Sequence, residues 1–476
     1  MGNSPHTTSI HILDDDSLLN IFHLYRPFLL GEDEDDGARI VGGMRPWVGE
    51  RWWYKLAHVC QRWRNLIFGS AAYLGLSLVC TKDTPVAEML AHSPSLPLVI
   101  DHFEGYCGIT AEDEEGTILA LKQRDRVRRV RLDMPVSDVQ KFIVAIEEEY
   151  PILEYLIVWN RMEERTVLIF PETLQAPHLC HLALVGFDLP IGSRLLTSPG
   201  GLVTLCLVMN DPSTYLLPNT LLQWLSVMPK LETLVISFLY PPSSNEKGQL
   251  RHTPVMTSVT LPNLHYFMFR GDTMYLEALV HRITPCPEKV EIHISDQDMF
   301  STPRLLQFMI ATENIKFETV KFKFSMYQVF MAVYPHVEAE TCALSITVGC
   351  MGYYQHLFSM TQFSDSLNPI FSAVEHLILE HEADCWLSEG LIPHEFDRHW
   401  HKLLSFFSNV KTLRIDDGLV LGVSRCLKLH GGKLPLELLP ELQELTYSGS
   451  SQIGDAFTPF INARQSAGRP ITLTRR

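Results

Sequence analysis

Positive charge is scarce in this 476-residue chain, where 39 lysines and arginines face 55 aspartates and glutamates for a net charge of −16. That balance excludes bulk affinity for nucleic acid or anionic membrane surfaces, both of which reward a basic footprint. Long apolar runs are missing as well. The longest candidate, residues 71–80, is interrupted by glycine and serine, far short of the roughly 20 residues that cross a bilayer. No membrane association is expected. The 10 cysteines include no Cys-x-x-Cys pair, no Asn-x-Ser/Thr sequon occurs, and the first residues have no signal-peptide pattern. Reduced thiols and a soluble cytoplasmic or nuclear protein are the expectation.

The marks of common catalysts are absent too. There is no phosphate-cradling Gly-x-x-x-x-Gly-Lys, no dinucleotide fingerprint and no Gly-x-Ser-x-Gly elbow, so the chain reads as non-catalytic, with no cofactor. Histidines do concentrate at His376, His381, His394, His399 and His401, with Cys385 between them. His394 and His399 are five residues apart, about 140° around a helix, which is wrong for a shared zinc ion. No metal is expected there. The cluster Arg124, Arg126, Arg128, Arg129 and Arg131 is threaded by Val127, Val130 and Leu132, the pattern of a strand with one wet face rather than a nucleic-acid arm.

What the chain does contain is apolar patterning, with 46% hydrophobic residues, enough to fill more than one core. Residues 56–67 form an amphipathic helix, with Leu56, Val59, Cys60, Trp63 and Ile67 on one side and His58, Gln61, Arg62 and Asn65 on the other. Upstream, Asp14 is placed to cap a helix whose Leu13 and Leu18 occupy the two positions of a hydrophobic staple, and Leu19 and Phe22 continue the apolar side. A Leu-Leu-x-Ile-Phe helix followed by Val-Cys-x-x-Trp-Arg resembles the F-box, a three-helix module that docks onto the Skp-type adaptor of cullin ubiquitin ligases. The resemblance covers residues 12–67, with Leu13-Asp14 where the family usually has Leu-Pro. It implies adaptor contacts by Leu13, Leu18, Leu19, Phe22, Leu56, Val59, Cys60 and Trp63. Between the helices, at about residues 28–46, lies an insertion whose five consecutive acids, Glu32 to Asp36, should stay solvated. Residues 1–11 are expected to be a disordered tail.

From residue 71 to 460 one phrase returns about ten times: apolar, two others, apolar, one other, apolar. It is carried by Val127-Val130-Leu132, Leu153-Leu156-Val158, Leu179-Leu182-Leu184, Leu202-Leu205-Leu207, Leu231-Leu234-Ile236 and Leu264-Phe267-Phe269. Phe317-Val320-Phe322, Val374-Leu377-Leu379, Val410-Leu413-Ile415 and Leu442-Leu445-Tyr447 carry the rest. Over the first six copies the spacing is about 23 to 33 residues, close to the roughly 20 to 29 of leucine-rich repeats. Helical patterns over 137–150, 220–228 and 396–407 fill gaps between phrases. The expected architecture is α/β: a short helical module, then an irregular solenoid with a curved parallel sheet and outer helices, closed by a tail at 461–476. The chain resembles F-box proteins with a leucine-rich-repeat substrate-binding region. The usual Asn after the strand is missing, so irregular repeats are expected, with loops or atypical repeats at 241–247 and 334–371.

Along each strand, the residues beside the inward apolar ones point to the other face. Arg129, Arg131, Trp159, Tyr266, Arg270, Lys321, Lys323 and Arg414 are thereby the candidate substrate contacts, with Tyr155, His181, His376 and Asp416 on the same face. Their basic bias suggests an acidic protein ligand. The function so implied is substrate recognition for a cullin ubiquitin ligase, through a Skp-type adaptor and an unknown protein target. The alternatives are a leucine-rich-repeat interaction scaffold with no ligase role, and an enzyme.

Overall fold

The computed structural model describes residues 12–26, 51–103, 109–146, 148–161, 168–198, 200–211, 215–240, 257–294, 303–310, 317–325, 327–339, 341–349, 353–382, 395–428, 438–448 and 456–475. The expected tail at 1–11, the acidic insertion, the stretch 241–247, Cys385 and His394 lie outside them. The chain forms two compact units, residues 1–208 and 209–476. Both are mixed α/β with mostly parallel sheets, and no described helix is long and apolar enough to cross a membrane.

Among the described residues, unit 1 begins with the helices α1 (Asp15–Tyr25), α2 (Trp52–Ala57) and α3 (Gln61–Gly69). The Asp14 carboxylate accepts the Ser17 backbone N–H at 2.7 Å, which caps α1 as its sequence predicts. This hydrogen bond holds the carboxyl below its ordinary range. Leu18 and Phe22 point inward, and the Phe22 ring meets Trp63 edge-on at 4.8 Å. Burying each such side chain contributes about 1.5–3 kcal/mol.

The single helix expected over 56–67 is instead two, broken at His58 and Val59, with Cys60 extended as the N-cap of α3. Trp53 on α2 and Trp63 on α3 are both buried. The Arg64 Nε donates to the Ala57 carbonyl at 3.1 Å and so satisfies the interrupted end. Arg62, on the polar side, reaches back to the Asp15 carboxylate and the Leu13 carbonyl, both at 2.7 Å, and ties α3 to the start of α1.

The sheet of unit 1 follows in chain order, all parallel: β1 (Leu78–Cys80), β2 (Leu98–Phe103), β3 (Val127–Pro135), β4 (Tyr155–Arg161), β5 (His181–Val185) and β6 (Thr204–Met209). Here the repeat phrase becomes register. Val130, Leu156, Leu182 and Leu205 lie opposite one another on successive strands, as do Leu132, Val158, Leu184 and Leu207. Helices α4 (Val86–His92), α5 (Ala111–Leu121), α6 (Val136–Ala145) and α7 (Arg194–Thr197) occupy the connections. The α5 start is a capping box built from Thr110 and Asp113. The helical module is fastened to β1, because the Trp53 indole N–H donates to the Ser77 carbonyl at 3.2 Å and Arg51 donates to the Val79 carbonyl at 3.0 Å.

Unit 2 contains β7 (Thr233–Phe238), β8 (Tyr266–Gly271), β9 (Lys289–Ile294), β10 (Thr319–Phe324), β11 (Gln328–Tyr334), β12 (Leu344–Gly349), β13 (His376–His381), β14 (Thr412–Ile415), β15 (Glu444–Tyr447) and β16 (Thr472–Arg475). Their spatial order is β7-β8-β9-β12-β11-β10-β13-β14-β15-β16. The reversal marks a three-strand antiparallel meander, β10 to β12, in which Phe322, Met331 and Ile346 share a rung. Connections this short cannot make the parallel crossover, which needs about a dozen residues or more. The stretch expected as loops or atypical repeats at 334–371 thus holds a strand and two helices, α11 and α12 of the set α8 (Pro218–Leu225), α9 (Thr273–Val280), α10 (Pro303–Ile310), α11 (Tyr353–Ser366), α12 (Asn368–Phe371), α13 (Glu395–Ser405), α14 (Asp417–Leu427) and α15 (Thr458–Ser466). Residues 461–476 are not a tail: they carry most of α15 and the strand β16, which pairs in parallel with β15. Arg464 on α15 is buried and donates to the carbonyls of Leu439, Pro440 and Leu442, which locks this end down.

Candidate functional site

Two surfaces bear on function, the exterior of the helical module and the sheet faces that carry the alternate, polar strand positions. On the module, Leu18, Phe22 and Trp63 are interior residues, whereas Leu13, Leu19, Leu56 and Cys60 are half-buried and Val59 is 57% exposed. The eight residues named for adaptor contact therefore split into a supporting set and an accessible set. Sequence patterning missed part of the exterior. Ile12, Ile21, Leu24 and Tyr25 are all exposed, with Leu24 at 80%. Alternation of apolar side chains on both sides of α1 was the available signal.

On the sheet of unit 1, register places Arg129, Tyr155, His181 and Thr204 side by side. The Arg129 guanidinium sits over the Tyr155 ring at 4.6 Å, and that ring stacks on His181 at 4.2 Å. The His181 Nδ1 is 3.0 Å from the Thr204 hydroxyl. Burial, reinforced by Arg129, pushes the His181 imidazole down from its ordinary 6.5 to about 4. Between those values the unfolded chain takes up a proton that the folded chain refuses, so this contribution is complete above pH 6.5 and is lost as pH falls toward 4. The loss is expected to reach roughly 3 kcal/mol. Urea unfolding at pH 7 and pH 4.5 checks it: His181→Phe, which keeps a ring against Tyr155, should flatten the dependence, and an unchanged slope would assign it to other groups.

Two residues along the same strand, the structure corrects the sequence reading. Arg131 faces the same way as Arg129 but pairs with Asp101 on β2, Nε to Oδ1 at 2.7 Å and a terminal nitrogen to Oδ2 at 2.6 Å. Their side chains are 0% and 2% exposed, so Arg131 is no substrate contact. Trp159 is half-buried one rung further, beside Asp133.

In unit 2 the expected basic bias is largely neutralised within the sheet. The Nζ of Lys321 is 2.8 Å from Glu380, and that of Lys323 is 3.2 Å from Glu382. Tyr266 is 5% exposed, its hydroxyl donates to Glu291 at 2.6 Å and Lys289 lies over its ring, which removes it as a surface anchor. The hydrogen bond from His293, with that from Tyr266, holds the Glu291 carboxyl below its usual range despite burial. Arg270 and Arg414 are exposed. The neutralising acids lie on or beside neighbouring strands and could not be placed from spacing alone.

Among the described residues, Glu318, Glu375 and His376 bring ligand-type atoms within 4.8 Å of one another. The site of a cation there is contested, since the Lys411 ammonium lies 2.7 Å from Glu375 and holds its carboxyl low. His399 sets its ring edge-on against Phe358. Burial pushes the Cys80, Cys206 and Cys426 thiols up to about 12, which keeps them protonated and poor nucleophiles. No protein-family model matches the chain, and no curated protein matches it either.

Proposed function

We propose that this chain is the substrate-recognition subunit of a cullin ubiquitin ligase, in which the helices of residues 12–67 act as an F-box and the sheets act as degenerate leucine-rich repeats. The observation that carries the reading is the division within the helical module. Leu18, Phe22 and Trp63 fill its interior, while Ile12, Ile21, Leu24 and Val59 remain exposed. Apolar side chains held outward by a rigid interior are what a partner's groove rewards. The Skp-type adaptor is the partner that the F-box resemblance names. Leu13, Leu19, Leu56 and Cys60 would border that contact.

On this reading the chain supplies no catalytic group. It would hold a target protein against the exposed and half-buried members of the sheet faces, Arg129, Trp159, Arg270 and Arg414, and raise the local concentration of a target lysine near the charged conjugating enzyme. Lys321 and Lys323, already paired, would tune that surface rather than anchor it.

A pull-down of purified full-length chain with recombinant Skp-type adaptor and cullin tests the proposal. Trp63→Ala or Phe22→Ala would unfold the module and discriminate nothing. Val59→Asp combined with Leu24→Asp alters only exposed positions, and should weaken adaptor binding by at least about tenfold, from the loss of one or two apolar contacts. Equal retention by wild type and variant would leave the scaffold reading in its place.

A further inference from the structure

A cavity of about 380 Å³ opens in unit 1 between the helical module and β1. Its walls include Tyr54, Phe68, Val79 and Met89, and its polar lining includes Arg51 and Arg64 against one carboxylate, Asp83. A volume in this range, with mostly apolar walls and a few convergent polar groups, is the form of small-molecule sites. The charge is the informative part.

Arg51 is held in place by neutral oxygens alone, since one terminal nitrogen donates to the Val79 carbonyl at 3.0 Å and to the hydroxyls of Thr81 and Thr84 at 2.7 and 2.8 Å. Its Nε is buried with no hydrogen-bond partner. Arg64 spends its Nε on the Ala57 carbonyl. Neither guanidinium has a carboxylate partner among the described residues, whereas Arg62, Arg128 and Arg131 nearby in the chain each have one. Two cations with no carboxylate partner among the described residues, set beside an apolar cavity, suit an anion that carries an apolar body. Tyr54 closes one side, its hydroxyl toward the Met89 sulfur at 3.9 Å, and burial keeps that phenol protonated as a neutral donor.

We propose that this cavity is a binding site for a small amphipathic organic acid, with the aromatic or aliphatic body against Tyr54, Phe68 and Met89 and the anionic group at Arg51 and Arg64. The site borders the segment proposed for adaptor contact through Ala57 and His58, and is tested without any partner. The probes are anilinonaphthalene sulfonate and phenylnaphthylamine, which share an aryl body and differ by the anion. Titrated fluorimetrically into the full chain, the sulfonate should saturate at one site and bind at least about tenfold tighter than its neutral analogue, the effect of one charge-assisted hydrogen bond. Arg64→Glu, at an exposed position, should erase that preference and leave the neutral probe unchanged. Met89→Trp, which fills the cavity, should abolish both. Equal binding of the two probes by wild type, or a preference that survives Arg64→Glu, overturns the proposal, as does unchanged binding by a Met89→Trp variant with wild-type thermal unfolding.

Discussion

Asp101→Ala is expected to destabilise the protein by about 3–5 kcal/mol, the usual consequence of leaving one member of a buried ion pair without its partner. The magnitude follows from the surroundings. Arg131 and Asp101 are 0% and 2% exposed, the contact is bidentate, and the two residues lie in register on adjacent strands, so water cannot replace the lost carboxylate. The paired change Asp101→Leu with Arg131→Met removes both charges and should be close to neutral, within about 1.5 kcal/mol if the volume repacks. Urea denaturation of the three proteins at pH 7 separates the cases. A loss from Asp101→Ala under about 1 kcal/mol would mean that the pair is solvated, and would return Arg131 to the list of substrate contacts.

The second large effect is expected at the other end of the chain. Arg464→Met keeps the apolar stem and removes a guanidinium that donates to three carbonyls at 2.9 to 3.1 Å. Charge-assisted bonds of this kind contribute about 1.5–3 kcal/mol each before compensation, and the Glu441 carboxylate adds only a longer-range attraction. A total loss of about 2–4 kcal/mol is expected, since the buried Leu442 carbonyl and the part-buried Pro440 carbonyl lose their donor, while the Leu439 carbonyl keeps the Leu442 backbone N–H at 3.1 Å. One of the three belongs to Leu439, held in the left-handed region at φ 50°, a conformation that costs a non-glycine residue about 1–2 kcal/mol. Arg464 therefore fixes a strained turn as well as the last helix. Thermal unfolding checks the loss, and faster hydrogen exchange over residues 438–475 would place it.

The parallel sheets were largely legible because the repeat phrase states two things at once. An apolar pair two residues apart, as in Leu205 and Leu207, names the buried face of a strand, and the anchor three residues before the first of the pair, Leu202, names the turn that enters it. Strands without the anchor were missed. Val290, Ile292 and Ile294 alternate cleanly, but Pro287 and not an apolar residue stands where the phrase begins. The meander escaped for another reason: strand direction is set by the length of the connection and not by any residue in the strand, so Phe322 reads the same whether its neighbour runs with it or against it.

The candidate surface was legible only in part. Arg129 and Arg131 share a strand, a face and a residue type, yet one lies over Tyr155 and the other is sealed against Asp101 thirty positions earlier. A lone acid in the apolar run Leu98-Val99-Ile100-Asp101 was the one sequence signal for that pairing. The helix break at Val59 likewise has no counterpart in the amphipathic stripe, which runs through it without interruption. Interior and exterior of the helical module thus exchanged members between pattern and fold, and the adaptor proposal rests on the exterior set.

Hydrogen–deuterium exchange of the full-length chain, with and without saturating Skp-type adaptor, tests that proposal most directly. Slowed exchange is expected in peptides covering residues 12–25 and 56–61, with the strands of unit 2 unchanged. Unaltered exchange over both segments at saturating adaptor would contradict it.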